Sequence, residues 1–255
     1  MHSGLQRRAV TTAWQTLVFW SDRNCSMNKA SLKEKVSRVL QGTAGNFGLA
    51  VTREMVALGR PRRFNIDGRV EFVRLSSLEL VAQEIYERGV EGNVAELGVY
   101  QGEFAKIINQ AFPDRELHLF DTFDGFDAND VTEEQAKNYS TGEQDFSDTS
   151  TELVLAKMPH RDKCVVRKGY FPDTAQDLLA AKYAFVSIDT DLYAPILSGL
   201  QFFYPRLNAG GYIFVHDYND AAYPGAKDAV REFCRDQGIN FFPLSDGWGT
   251  AVIVK

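Results

Sequence analysis

The chain has 255 residues, of which 44% are hydrophobic, and its formal net charge at pH 7 is −6. This length and apolar content suffice for one sizeable core with an appendage. The acidic balance argues against nucleic acid as a partner, because phosphate binding requires a basic surface. The three cysteines lack Cys-x-x-Cys spacing, which argues against a disulfide framework or a zinc site and favours a cytoplasmic location. No run of about 18 apolar residues occurs, so we expect neither a membrane-spanning helix nor a membrane partner.

The N-terminal region, residues 1–70, lacks the alternating pattern of strands, and segments 31–41 and 53–58 have helical periodicity instead. We therefore expect an N-terminal helical extension that caps the rest of the chain. Aromatic residues such as Trp14 and Trp20 are scattered through its beginning. They suit either the surface of a homo-oligomer or a cap that packs on its own domain.

The remainder, residues 71–255, alternates strand and helix patterns after an amphipathic helix at 75–88. Strands are predicted at 93–97, 116–120, 164–168, 184–188, 212–216, 241–244 and 250–254. Helices are predicted at 103–112, 151–157, 174–181, 195–204 and 226–237. This order predicts an α/β fold, with an open, mostly parallel, Rossmann-like sheet of seven strands and helices on both faces. The turn residues Asp246-Gly247 indicate that the final strand runs antiparallel.

A glycine-containing turn follows the first predicted strand, with the spacing Glu96-x-Gly98-x-x-x-Gly102. Glycines there let the backbone approach a ligand closely. Asp121, at the end of the second apolar run, is placed to accept hydrogen bonds from ribose hydroxyls. The spacing differs from the Gly-x-Gly-x-x-Gly of dinucleotide-binding proteins, and Glu96 suits an amino-acid ammonium better than a pyrophosphate. We therefore expect S-adenosylmethionine as the cofactor rather than NAD.

Aromatic residues follow the third predicted strand. Gly169 permits a tight turn there, and the side chains of Tyr170 and Phe171 come next. These rings either cover an adenine face or belong to the core. Thr122 is expected near the same adenine. It begins the acid-rich connection 122–150, which is either an active-site lid or a solvated insertion.

Two aspartates, Asp189 and Asp217, follow the fourth and fifth predicted strands. Because the carboxyl ends of parallel strands lie at the same edge of a sheet, we expect their carboxylates to meet in a crevice. Carboxylate oxygens are the ligands that Mg²⁺ prefers, and a bound Mg²⁺ would hold a substrate hydroxyl and lower its pKa. The alternative is that both aspartates cap the helices that follow.

His216 stands beside Asp217, and three roles fit it: metal ligand, general base, or a core histidine with a structural partner. No lysine lies within residues 188–193 to act as a base. The candidate proton acceptors are therefore Asp189, Asp191 and His216, of which we favour His216 or Asp189.

Further motifs accompany these residues along the chain. The whole set occupies residues 74–75, 96–102, 121–126, 169–174, 189–193, 204–212 and 216–218. Together they resemble the macrocin and mycinamicin O-methyltransferase family over about residues 70–255. The resemblance implies a class I methyltransferase fold, S-adenosylmethionine as donor, and Mg²⁺-assisted transfer to a hydroxyl, often on a sugar of a natural product. It also adds Tyr100 and Phe123 to the residues expected at the cofactor.

The chain departs from this family at the predicted metal site. The family has an acid at the position of Asp189, and an Asp-Asp pair where this chain has His216 followed by Asp217. The resemblance therefore implies a metal held by the two aspartates together with His216 or water.

The resemblance predicts an enzyme that methylates a hydroxyl of a small, glycosylated or polyhydroxylated acceptor. Two alternatives are a catalytically silent binding protein on the same fold and an NAD-dependent sugar-modifying enzyme. In this family the N-terminal region and the connection 122–150 help to shape the acceptor pocket. Because the N-terminal third of this chain matches poorly, the resemblance does not identify the acceptor.

Overall fold

A sheet of seven strands forms the centre of the computed structural model, which describes residues 69–255. The strands are β1 (Asn93–Leu97), β2 (Leu117–Asp121), β3 (Cys164–Lys168), β4 (Tyr183–Ile188), β5 (Leu207–Val215), β6 (Phe241–Leu244) and β7 (Thr250–Val254). Their spatial order is β3-β2-β1-β4-β5-β7-β6. Strands β1 to β5 pair in parallel, whereas β7 runs antiparallel to β5 and β6. The predicted seven-stranded sheet with an antiparallel final strand is confirmed.

Helices cover both faces of this sheet. In the described part they are α1 (Phe72–Glu87), α2 (Glu103–Ala111), α3 (Ala128–Ala136), α4 (Thr151–Lys157), α5 (Tyr193–Arg206) and α6 (Pro224–Gln237). Leu78 of α1 lies in the same apolar cluster as Val94. Ile196 of α5 and Val230 of α6 lie with Ala95 in a second cluster. Since successive strand residues point to opposite faces, the two clusters are the two layers of the predicted α/β fold.

Strand β4 shows why its position was clear in the sequence, since all of its residues are buried. In a parallel sheet covered on both faces, central strands are continuous apolar runs. Strand β5 was harder to delimit, because it begins at Leu207 rather than at 212. The glycines Gly210 and Gly211 interrupt its apolar pattern, and its register against β4 shifts between Tyr183 and Phe185.

Two other segments differ from the predicted elements. The segment predicted as a helix at 174–181 forms a shorter 3₁₀ helix at Asp173–Leu178. The connection 122–150 contains α3, whose few apolar residues gave no helical pattern. Asp130 and Glu134 of α3 are nevertheless buried, so this part of the connection packs against the domain.

The expected helical extension lies outside the described residues. The domain boundary near residue 70 and the surface for a homo-oligomer around Trp14 and Trp20 therefore stay predictions. Between residues 69 and 255, no helix combines the length and the apolar character that crossing a bilayer requires. The cytoplasmic location stays a prediction as well.

Candidate active site

A cavity of about 440 Å³ lies at the carboxyl ends of strands β1 to β5, where an open α/β sheet binds its ligands. Most of the predicted site residues line it: Glu96, Gly98, Tyr100, Asp121, Thr122, Gly169, Tyr170, Phe171, Asp189, His216 and Asp217. Two others lie outside the lining. Gly102 precedes α2 and lies beside Val154 of α4, and Phe123 is buried in the core.

The turn after β1 approaches the end of β4 so closely that only glycine fits. Gly98 has a φ of 82°, and a Cβ atom there would lie 1.9 Å from the carbonyl oxygen of Asp189. The amide of Asp189 donates a hydrogen bond to the carbonyl of Leu97 at 2.8 Å. The glycine predicted to approach a ligand therefore also joins two strand ends.

Asp121 holds this turn from the neighbouring strand. Its Oδ2 accepts hydrogen bonds from the amides of Val99 at 2.6 Å and Tyr100 at 2.8 Å. Its Oδ1 accepts from the amide of Phe123 at 2.7 Å. The side chain therefore holds both the turn after β1 and the backbone after β2, a role that the sequence did not reveal. Its predicted contact with ribose hydroxyls stays a prediction.

Glu96 is a buried carboxyl group at the end of β1. Burial raises its pKa well above the ordinary value; the charge of Arg74 opposes this rise, whereas the charges of Asp189 and Asp121 add to it. Its Oε2 has no hydrogen-bond partner among the described residues. A buried acceptor of this kind suits a ligand that brings donors, such as an amino-acid ammonium.

Tyr170 and Phe171 have different surroundings, although they are adjacent in sequence. Phe171 is buried and stacks on Phe203, with 5.7 Å between ring centroids, so it belongs to the core while touching the cavity. The hydroxyl of Tyr170 donates to Asp130 of α3 at 3.1 Å. Burial raises the pKa of Asp130 to about 6. We call Tyr170, Phe171 and Asp130, together with Glu96 and the turn after β1, the cofactor end.

The adjoining part of the cavity, at the ends of β4 and β5, is lined by charged side chains. The Nδ1 atom of His216 lies 3.0 Å from Oδ1 of Asp189 and 2.9 Å from Oδ1 of Asp217. Asp191 and Asp217 both adopt positive φ angles, of 58° and 57°. Such strained backbone persists where the surroundings enforce it, often at functional sites. We call Asp189, His216 and Asp217 the cation end.

Comparison with known proteins assigns the chain to a family. The family model described as macrocin-O-methyltransferase (TylF) matches residues 53–252, which include both ends of the cavity. The chain belongs to this family. Membership makes it an S-adenosylmethionine-dependent O-methyltransferase, as the sequence predicted.

Individual relatives of this O-methyltransferase are distant. An 8-demethyl-8-(2,3-dimethoxy-alpha-L-rhamnosyl)-tetracenomycin-C 4'-O-methyltransferase of Streptomyces olivaceus is 28% identical over 70% of this chain and 71% of the relative. A mycinamicin III 3''-O-methyltransferase of Micromonospora griseorubida is 28% identical over 66% of this chain and 70% of the relative. Among solved structures, the O-methyltransferase NovP matches with a TM-score of 0.61 and 24% identity, over 71% of this chain and 79% of that one. The class I methyltransferase fold is thereby confirmed.

Two residues at the cation end were not predicted: Glu71, immediately before α1, and Arg74, in its first turn. Arg74 is buried, and its Nη2 lies 2.9 Å from Oδ2 of Asp189. Its guanidinium also stacks over the ring of Phe104, 3.8 Å from the centroid. Oε1 of Glu71 lies 3.6 Å from Nε2 of His216. The motif at residues 74–75 was the only signal for Arg74, and nothing in the sequence linked Glu71 to the sheet.

The charges of the cation end set the protonation of its members. Burial raises the pKa of Asp189, but the charges of Arg74 and His216 and the hydrogen bonds from both together hold that pKa far below the ordinary value. Burial lowers the pKa of His216, but Asp189 and Asp217 reverse this and raise it to about 12. Burial, together with the charges of Asp217 and Asp189, raises the pKa of Asp191 well above its ordinary value. A raised pKa makes the carboxylate of Asp191 a stronger base than an ordinary one, so Asp191 joins Asp189 and His216 as a candidate proton acceptor.

The donor atoms of the cation end fit a divalent cation. One atom each from Asp189, His216 and Asp217 lie within 4.8 Å of one another. Because Arg74 engages Oδ2 of Asp189, Oδ1 remains directed at the other two residues. Two carboxylate oxygens and an imidazole nitrogen suit several divalent metals, although Mg²⁺ prefers oxygen alone. The metal site that the sequence predicted stays a prediction, now with a geometry that supports it.

Proposed function

We propose that this protein transfers the methyl group of S-adenosylmethionine to a hydroxyl on a sugar or another polyhydroxylated natural product, with the help of a divalent cation. The observation that carries the proposal is the single cavity with two ends. Glu96 offers an unpartnered buried acceptor at one end, and the cluster of Asp189, His216 and Asp217 offers cation ligands at the other. The name of the Streptomyces olivaceus relative, which describes a rhamnosyl compound, supports the class of acceptor.

The cation end positions the acceptor oxygen. Asp189, His216 and Asp217 would hold the cation, and Arg74 fixes the rotamer of Asp189 by pairing with its other oxygen. When bound, a divalent cation lowers the pKa of a coordinated hydroxyl and orients it. Transfer from a sulfonium needs the methyl in line with that oxygen, so positioning supplies much of the rate.

Asp191 takes the role of proton acceptor in this proposal. It lines the same cavity as the three cation ligands, and its pKa is raised rather than lowered. His216 is unsuited, because in this proposal the lone pair of its Nδ1 binds the cation. This assignment departs from the sequence interpretation, which favoured His216 or Asp189.

The acceptor side of the cavity carries an exposed aromatic platform. Trp248, in the loop between β6 and β7, is 50% exposed, and its ring centroid lies 6.2 Å from that of His216. Its backbone is fixed, because its carbonyl accepts from the amide of Asn219 at 2.9 Å. An indole beside His216 suits the apolar face of a sugar ring.

The test is methyl transfer from labelled S-adenosylmethionine to a panel of rhamnosylated polyketides and their aglycones. We expect labelled product with glycosylated members only, and loss of turnover after EDTA treatment that an added divalent ion restores. Asp191→Asn should lower kcat by about 10²–10⁴-fold while S-adenosylhomocysteine still binds. Transfer to the aglycones alone, or turnover that is insensitive to EDTA and to Asp191→Asn, would contradict the proposal.

A further inference from the structure

The cation end differs chemically from a site made for Mg²⁺. We propose that it selects a first-row transition metal, such as Mn²⁺ or Co²⁺, over Mg²⁺, because His216 supplies a nitrogen ligand. The inference rests on the divalent cation of the proposed function and specifies which ion this chain takes.

The spacing of the donor atoms supports this preference. Nδ1 of His216 lies 3.0 Å and 2.9 Å from the Oδ1 atoms of Asp189 and Asp217. Adjacent ligands of an octahedral ion with bonds of about 2.1 Å are about 3.0 Å apart. The nitrogen therefore stands at ligand spacing from both carboxylate oxygens, rather than behind them.

The far edge of the imidazole also supports a metal at Nδ1. Nε2 of His216 is buried and has no hydrogen-bond partner within residues 69–255, but Oε1 of Glu71 lies 3.6 Å away. A carboxylate behind a histidine holds the proton on the distal nitrogen and leaves the other nitrogen's lone pair for a metal. With a cation bound between Nδ1 and the two aspartates, Glu71 would therefore face the proton that the ring keeps on Nε2.

The charge of the site also affects which ion binds. Arg74 is buried and pairs with Asp189, so one of the two carboxylates shares its charge with a guanidinium. A hard ion such as Mg²⁺ depends on anionic oxygen ligands and loses most from this sharing. Transition metals bind imidazole well, so their affinity depends less on the missing oxygen.

Titration calorimetry with MgCl₂, MnCl₂ and CoCl₂ on the full-length protein saturated with S-adenosylhomocysteine tests the preference. We expect Co²⁺ and Mn²⁺ to bind at least about tenfold more tightly than Mg²⁺. In His216→Asp, which supplies an oxygen at the same position, the ratio of Mg²⁺ to Co²⁺ dissociation constants should fall by about tenfold or more. His160→Asp, which changes a histidine outside the cavity lining, should leave that ratio unaltered.

A spectroscopic measurement keeps the inference testable if His216→Asp fails to fold. Electron spin echo envelope modulation of bound Mn²⁺ should show coupling to ¹⁴N in the unaltered protein. Mg²⁺ binding as tight as Mn²⁺ binding, bound Mn²⁺ without ¹⁴N coupling, or no binding of any of the three ions would overturn the inference. No acceptor is present in these experiments, so failure of the proposed methyl transfer would leave their result standing, and the reverse holds as well.

Discussion

The two ends of the cavity are built from different parts of the chain. At the cofactor end, backbone geometry shapes the cavity, because Gly98 permits a close approach and Asp121 accepts hydrogen bonds from three backbone amides. At the cation end, side chains from three elements meet: Asp189 after β4, His216 after β5, and Arg74 from α1. A backbone site depends on shape, whereas a site of charges depends on every partner being present.

This contrast predicts where single substitutions do most damage. At the cofactor end, a change of shape should matter more than a change of charge. At the cation end, removal of one charge should leave its partners buried without compensation. The four predictions below test that difference, beginning with the largest effect.

Gly98→Ala should break the backbone-built end. The added Cβ would lie 1.9 Å from the carbonyl oxygen of Asp189, and the positive φ adds strain. We expect a loss of at least about 4 kcal/mol in the free energy of unfolding, measured by denaturant titration. Gly89→Ala is the matched control, because Gly89 also has a positive φ of 62° but no atom within 4 Å of its Cβ position. It should lose only about 1–2 kcal/mol, and equal losses in both variants would show that contact does not matter.

Arg74→Met tests the end built from charges. The substitution leaves the partly buried Asp189 without its guanidinium, which should cost about 3 kcal/mol of stability. Arg69→Met is the control, since Arg69 is an exposed arginine that pairs with Glu103 and should change stability by less than about 1 kcal/mol. If the two variants melt at the same temperature, the ion pair of Arg74 with Asp189 contributes no more to stability than the exposed pair of Arg69 with Glu103.

Asp121→Ala removes the carboxylate that organises the cofactor end. Three amides lose their acceptor, so we expect a loss of about 2 kcal/mol in stability. Calorimetry should also show about ten- to hundredfold weaker binding of S-adenosylhomocysteine, because ribose hydroxyls lose an acceptor. Unchanged affinity in a folded Asp121→Ala protein would restrict Asp121 to its structural role.

Asp130→Asn should give the smallest effect, and it depends on pH. Burial raises the pKa of Asp130 to about 6 in the folded state, above its ordinary value of 3.8. The folded state therefore binds more protons between these values, so stability falls as pH rises from about 4 to 6. Asp130→Asn should remove this fall and gain about 1–2 kcal/mol at pH 7. Asp124→Asn, at an exposed acid, should leave the pH profile of stability unchanged, and a fall that persists in Asp130→Asn must come from another group.

The same contrast explains what the sequence could reveal. Buried parallel strands are apolar runs, and their ends share one edge, so the fold and the meeting of Asp189 with Asp217 could be predicted. The sequence could not show which residues Arg74 and Glu71 contact, because their partners lie more than a hundred residues further along the chain. Asp130 was missed because α3 has little apolar periodicity.

The sequence interpretation was also too wide in places. Gly102 and Phe123 belong to the motifs but lie outside the cavity lining, since a motif preserves the packing around a site as well as the site. The sequence favoured His216 or Asp189 as the general base, and that assignment stays a prediction. The two carboxylates beside His216 raise its pKa, and only the folded arrangement shows the three groups together.

The close approach of Gly98 to the carbonyl of Asp189 has a consequence for the proposed reaction. It joins the turn after β1, where we propose that the methyl donor binds, to Asp189, a ligand of the proposed cation, and the hydrogen bond from the amide of Asp189 to Leu97 joins them a second time. In the proposed function, the sheet would therefore set the distance over which the methyl group travels. Trp248 and α3 lie on connections outside the sheet. Substitutions in those parts should then change the choice of acceptor and leave the transfer distance the same.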